Sequence, residues 1–181
     1  MMVKTIFSGF GGQGVLMMGY ALAHGAMSAG YHVTFLPAYG AEVRGGTANC
    51  TVAVSDDEIA SPIASKPDNI VVLNAPSLST FQNRLAPGGA LFLNSSIIAV
   101  EPSRHDVRIF KIPSSEMAEK LGNPRTANTV MMGAFLKITG LVPPDIYLSS
   151  METVMGSKKK SVIEINRKAF AAGHEFLKTA E

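Results

Sequence analysis

Ser8-Gly9-Phe10-Gly11-Gly12-Gln13-Gly14 separates a short apolar strand, Thr5-Ile6-Phe7, from a long uncharged segment that begins near Val15. Gly9, Gly11 and Gly14 have the G-x-G-x-x-G spacing, with the strand before and the helix after that this motif requires. Glycines here can take positive φ and let backbone N–H groups approach a ligand or a neighbouring chain. The following helix turns its unpaired N–H groups and the positive end of its dipole toward the same spot. The loop therefore reads as an anion cradle. A dinucleotide, another phosphate or a partner protein could occupy it, and close strand-to-helix packing alone also accounts for the spacing.

Beyond the loop, Val15 to Ala23 is apolar around its whole circumference, which predicts a helix buried on several sides. Gly30 ends it. Tyr31 to Leu36 reads as a second strand, completing a β-α-β unit that Pro37 stops. The polar, glycine-bearing segment Tyr39 to Thr47 then falls where parallel strands open toward a ligand. Further strands are expected at Thr51–Ser55, Asn69–Leu73, Ala90–Leu93 and Arg108–Ile112. The unalternating apolar run at Asn69–Leu73 fits a sheet covered on both faces. Helices are expected from Pro76 to about Leu85, from Glu116 to Leu121 with Ser114 as its cap, from Thr129 to Thr139, and near Ile146 to Met155. Val162, Ile165, Ala169, Phe170, Gly173, Phe176 and Leu177 recur at helical spacing and predict an amphipathic terminal helix. The alternation specifies one layered α/β domain over residues 1–181, on a mainly parallel or mixed sheet.

Charged residues are only 17% of the chain, below the ~25% usual for soluble proteins. From Thr5 to Ala41 there is no Asp, Glu, Lys or Arg, so part of the surface is expected to be covered. A membrane span is excluded: the run from Val15 to Ala29 is broken by Gly19, His24 and Gly25 and falls short of ~20 residues. No secretory signal is expected, because Phe7 to Gly14 is a glycine turn and no cleavage-site pattern follows an apolar core, and a cytoplasmic location is the default expectation. A net charge of +2 gives no footprint for nucleic acid, despite the cluster Lys158-Lys159-Lys160. The single Cys50 cannot supply the thiolates of an iron–sulfur cluster and reads as a buried structural thiol. His24, His32, His105 and His174 show no metal-ligand spacing, and His24 reads as a hydrogen-bonded helix residue.

A dinucleotide site needs a carboxylate near the end of the second strand, where this chain has Phe35, Leu36 and Pro37. A Walker-type lysine is missing too, because Val15-Leu16 follows Gly14. The second constellation is Glu42-Val43-Arg44-Gly45-Gly46, where a guanidinium beside two glycines can offer a planar fork to phosphate or carboxylate. An Arg44 to Glu42 ion pair that shapes the loop is the equal alternative. Asn128 is a good N-cap for the helix that follows it, and Arg125 could meet an anion near that helix start.

With these residues the chain resembles the gamma subunit of 2-oxoacid:ferredoxin oxidoreductases, most similar to the 2-oxoglutarate type, with pyruvate, branched-chain oxoacids and indolepyruvate left open as substrates. The resemblance rests on Gly9 to Gly14, Tyr39 to Gly46, Asn128 to Leu136 and Asn166 to Gly173, and covers nearly the whole length. The segment Tyr39 to Gly46 is the most specific; Ala41 departs from it, standing where proline commonly precedes the glutamate. The resemblance implies a Rossmann-like fold in an enzyme that converts a 2-oxoacid and coenzyme A to acyl-CoA and carbon dioxide while reducing ferredoxin. It implies thiamine-binding alpha and beta partners and a ferredoxin-like delta partner. Thiamine diphosphate, Mg and the iron–sulfur clusters would lie in those partners, with coenzyme A at the surface of this chain. Gly9, Gly11, Gly12, Gln13, Gly14, Glu42, Arg44, Gly45, Gly46, Arg125 and Asn128 are the candidate binding residues, and no catalytic residue or metal ligand is assigned. A non-catalytic assembly scaffold and an independent NAD(P)-dependent oxidoreductase are the competing readings.

Overall fold

The computed structural model describes residues 1–38, 47–156 and 159–176. Six strands, β1 (Met2–Phe10), β2 (His32–Ala38), β3 (Thr47–Ser55), β4 (Asn69–Val72), β5 (Ala90–Asn94) and β6 (Arg108–Ile112), form one sheet in the order β2-β3-β1-β4-β5-β6. β1, β4, β5 and β6 are mutually parallel, while β3 runs antiparallel to both β1 and β2. The sheet is therefore mixed. All residues of β4 and β5 are buried, as strands covered on both faces require.

The simple β-α-β unit needs correction, because β3 lies between β1 and β2. Pro37 does not stop the second strand either. It sits inside β2 opposite Cys50, which is tolerated because β2 is an edge strand and needs no ladder on its outer side.

Helix α1 (Val15–Ser28) packs on one face of the sheet with α3 (Ser114–Lys120), α4 (Ala127–Thr139), α5 (Pro144–Met155) and α6 (Lys160–Phe176). Among the described residues only α2 (Ala75–Phe81), with neighbouring loops, covers the other face, over Ile6, Ile70, Val72 and Leu91. The expected boundaries of α2 shorten, since Gln82–Arg84 is a 3-10 turn.

The innermost helix is α4, buried at every position from Thr129 to Leu136. Phe135 places its ring edge-on to Phe7 and Phe92, with centroids 5.6 and 5.3 Å away. On its far side α4 meets α6 backbone to backbone. A Cβ at Gly173 would collide with the Val130 carbonyl, and one at Gly133 with the Phe170 carbonyl. Tyr147 of α5 stacks on Phe170 at 5.3 Å and closes the outer layer.

Two caps differ from expectation. Ser114 is buried and its hydroxyl caps nothing; the first N–H groups of α3 are met from outside, Glu116 donating to Ser96 Oγ at 3.0 Å. The hydroxyl is drawn into the core because α3 begins two residues earlier than its sequence suggests, at Ser114 itself. Asn128 lies inside the first turn of α4, because the turn Pro124–Thr126 runs directly into the helix and Thr126 takes the cap position.

Gly173→Ala should cost about 3 kcal/mol, since backbone rather than a mobile side chain blocks the methyl group. Thermal unfolding should show a fall in Tm of roughly 6–12 °C.

Candidate functional site

The carboxyl ends of β1, β4 and β5 open onto a cleft of about 230 Å³. Gly12, Gln13, Arg125 and Asn128 line it together with Leu73, Asn94, Ser115, Pro124 and Ala127. Two uncapped helix starts face this region. α1 follows Gly14, whose φ is 77°, and neither α1 nor α4 has a side-chain N-cap. The orphan N–H groups of α1 and the dipoles of both helices favour negative charge, although in α4 the Ala127 N–H already donates to the Pro124 carbonyl and the Thr129 N–H to Asn128 Oδ1. Arg125 is exposed, and no ion pair engages it among the described residues. The arrangement suits an anion.

The loop glycines divide their work differently from the spacing motif. Positive φ occurs at Gly12 (94°) and Gly14, not at Gly9 or Gly11. Gly9 is needed for space, because a Cβ there would stand 2.9 Å from Val15 and 3.0 Å from Leu73. At Gly14 a Cβ would strike the Asn128 amide.

Gln13 fixes the loop. Its Oε1 accepts from Phe10 N–H at 2.7 Å and its Nε2 donates to the Leu73 carbonyl at 3.2 Å. The Leu73 N–H in turn donates to the Ser8 carbonyl at 2.9 Å, so the ends of β1 and β4 and the turn form one unit.

Asn128 joins that unit to the helical layer. Its Nδ2 reaches the Gly14 carbonyl at 3.5 Å, and its Oδ1 accepts from Thr129 N–H at 2.9 Å. Thr129 donates to Asn166 Oδ1 at 2.7 Å, and Asn166 donates to the Val162 carbonyl at 2.8 Å. Three of the sequence segments singled out above thus meet through side-chain contacts.

Of the candidate residues, Gly12, Gln13, Arg125 and Asn128 line the cleft, and Gly9, Gly11 and Gly14 belong to the loop behind it. Glu42, Arg44, Gly45 and Gly46 lie outside the described residues, as do Lys158 and Leu177. Asn94 and Ser115 were missed. The available signal was Asn94 itself, the first polar residue after the apolar strand Ala90–Leu93.

Topology adds to the missing carboxylate as an argument against a dinucleotide site. With β3 interposed, β2 lies two strand spacings, roughly 10 Å, from β1. A carboxylate at the end of β2 would sit a strand away from the glycine loop.

His24 also needs correction: its Nδ1 is buried without a hydrogen-bond partner among the described residues. The Ser28 hydroxyl, one turn further along α1, donates to the His24 carbonyl at 3.0 Å and not to the ring. Cys50 is fully buried against Gly19, with its thiol 3.7 Å from the Val15 carbonyl, and burial pushes its pKa up to about 12. No group of three metal-ligating side chains occurs among the described residues, and no helix among them is long and apolar enough to cross a membrane.

Gln13→Ala removes two hydrogen bonds worth about 1 kcal/mol each. A lower urea midpoint and faster amide exchange at Phe10 should result. For Cys50 the folded-state pKa is raised, so the stability gained from a neutral thiol is complete below pH 9 and lost as pH climbs toward 12. At pH 8 the thiol should resist an aromatic disulfide reagent in the folded chain and react once urea unfolds it.

A family model described as Pyruvate ferredoxin/flavodoxin oxidoreductase matches residues 4–176. The ketoisovalerate oxidoreductase subunit VorA of Methanothermobacter thermautotrophicus is 40% identical over 96% of this chain and 36% of its own length. The chain thus spans about a third of that relative. The 2-oxoglutarate synthase subunit KorC of Methanocaldococcus jannaschii is 31% identical over 94% of this chain and 91% of its own. Among solved structures, the gamma subunit of a keto/oxoacid ferredoxin oxidoreductase from Geobacter sulfurreducens superposes with a TM-score of 0.84 at 25% identity, covering 97% of this chain and 95% of the other. A 2-oxoglutarate:ferredoxin oxidoreductase from Magnetococcus marinus shares the fold with a TM-score of 0.90 at 23% identity, over 98% of this chain and 31% of the other.

Proposed function

This chain belongs to the pyruvate ferredoxin/flavodoxin oxidoreductase family, and from that premise we propose that it is the gamma component of a multisubunit 2-oxoacid:ferredoxin oxidoreductase. The overall reaction would join the acyl part of a 2-oxoacid to coenzyme A, release carbon dioxide and pass the electrons to ferredoxin. Thiamine diphosphate with its Mg and the iron–sulfur clusters belong, in this reading, to alpha, beta and delta partners. The cofactor supplies the carbon–carbon cleavage, and protein groups supply position and charge. The single thiol of this chain, buried and held neutral, suits packing and not cluster ligation.

The observation that carries a role for this chain is the cleft at Arg125. Two helix starts without a side-chain cap, and a guanidinium that no ion pair engages among the described residues, converge there beside the amides of Asn94 and Asn128. Such a group matches a phosphate-bearing ligand, and coenzyme A is the phosphate-rich substrate of the proposed reaction. The Magnetococcus enzyme was solved with 2-oxoglutarate, coenzyme A and succinyl-CoA bound. Arg44 and its glycines are assigned here as a second anion contact on sequence grounds. The relatives act on ketoisovalerate, 2-oxoglutarate or pyruvate, so we assign the choice of oxoacid to the partners.

An assembly scaffold is the second reading. It is favoured by Gly9, Gly14 and Gln13, which are all engaged in internal packing or hydrogen bonds. Arg125→Ala or Arg44→Ala in the assembled enzyme should raise the KM for coenzyme A by about 10- to 100-fold, the loss of one charge-assisted contact, and leave the KM for the oxoacid within about 2-fold. An unchanged KM for coenzyme A in an intact complex would leave the scaffold alone.

A further inference from the structure

Helix α1 is covered on fewer sides than its sequence suggests, since Met17, Tyr20 and Met27 are exposed, but that face offers a ligand no charged group. The end of the sheet opposite the candidate cleft does. There the amino ends of β1, β4 and β6 and the carboxyl end of α4 border a cavity of about 380 Å³, a size within the ~300–1,000 Å³ of small-molecule pockets. Asp68 and Asn69 enter it from the start of β4, and Arg108 from the start of β6. Between them lies β5, approached by Gly88 and Gly89, which put no side chain in the way.

The polar groups of this cavity have capacity to spare. Arg108 makes no ion pair among the described residues; its guanidinium lies over the Phe110 ring at 5.9 Å. Asp68 accepts the Lys4 N–H at Oδ2, at 2.8 Å, and its Oδ1 has no hydrogen bond among the described residues. Asn69 is only 5% exposed, donates through Nδ2 to Thr5 Oγ1 at 3.4 Å, and likewise leaves its Oδ1 without a donor. An amide so deeply placed calls for a partner on both of its atoms. Helix α4 ends against the cavity at Thr139 and Gly140, bringing the negative end of its dipole.

We propose that this cavity binds a free α-amino acid with an apolar side chain. The carboxylate lies on Arg108, the ammonium on Asp68 and Asn69 Oδ1, and the side chain against Val3, Tyr31, Ile138 and Leu141. A guanidinium offers paired donors that match a carboxylate. Asp68 and the α4 dipole select a cation beside it. The corresponding 2-oxoacid is rejected, because its ketone oxygen would face acceptors with nothing to donate. Inorganic phosphate is rejected by the Asp68 charge. The site uses none of the cleft residues and stands apart from the oxidoreductase reading.

The test is isothermal titration calorimetry on the full chain, together with any chains that accompany it in purification. At least one of L-valine, L-leucine and L-methionine should bind at one site per chain. Against L-leucine, 4-methyl-2-oxopentanoate lacks the ammonium and 3-methylbutylamine the carboxylate, and each should bind at least ~10-fold more weakly, the loss of one charge-assisted contact. The same loss is expected for the amino acid on Arg108→Gln and on Asp68→Asn, with circular dichroism unchanged, whereas Lys111→Gln on the same strand should leave binding as it was. The ligand comparison is made on the unaltered chain and so does not depend on the variants folding. Hydrogen exchange should slow over residues 86–90 on addition of the amino acid and stay the same over residues 9–14. No binding of these amino acids at up to about 10 mM, equal binding of the oxoacid, or protection at the glycine loop instead would overturn the proposal.

Discussion

The contact between α4 and α6 sets the geometry of everything around it. Gly133 and Gly173 let the two backbones touch, which brings α4 low enough for Phe135 to enter between Phe7 and Phe92. Close packing of this kind is rigid, because a single methyl group has nowhere to go. The start of α4 is consequently held at the carboxyl ends of the parallel strands, where Asn128 reaches the glycine loop.

The cleft is thus assembled from parts distant in sequence. Gly12 and Gln13 come from the first turn, Asn94 from β5, and Arg125 and Asn128 from the approach to α4. None makes a site alone. Their convergence follows from the general tendency of parallel strands to leave a crevice beyond their carboxyl ends, at the point where the connections diverge. Here β1 is that point, flanked by antiparallel β3 and parallel β4.

Local chemistry explains both the successes and the errors in reading this chain. Gly30 and the buried run Asn69–Val72 announced their elements because each encodes a backbone preference or a two-sided burial. Pro37, Ser114 and Asn128 misled because each has a strong local preference that a neighbour overruled. Pro37 was accommodated by an edge position, Ser114 by a helix begun earlier, and Asn128 by a preceding turn that took over the cap. His24 was read as satisfied because no sequence pattern reports the partner of a buried ring nitrogen.

The amino-acid sequence by itself determined the alternation of strands and helices, the glycine turn, the lone buried thiol and the family resemblance, all of which depend on periodicity or short spacing. Only the tertiary structure decided that β3 intervenes between β1 and β2, that Arg125 shares a cleft with Gln13, and that one side of α1 stays uncovered. Strand order and the exposure of a helix face are properties of pairings between distant segments. An apolar side chain looks the same in sequence whether it meets its own core or another chain.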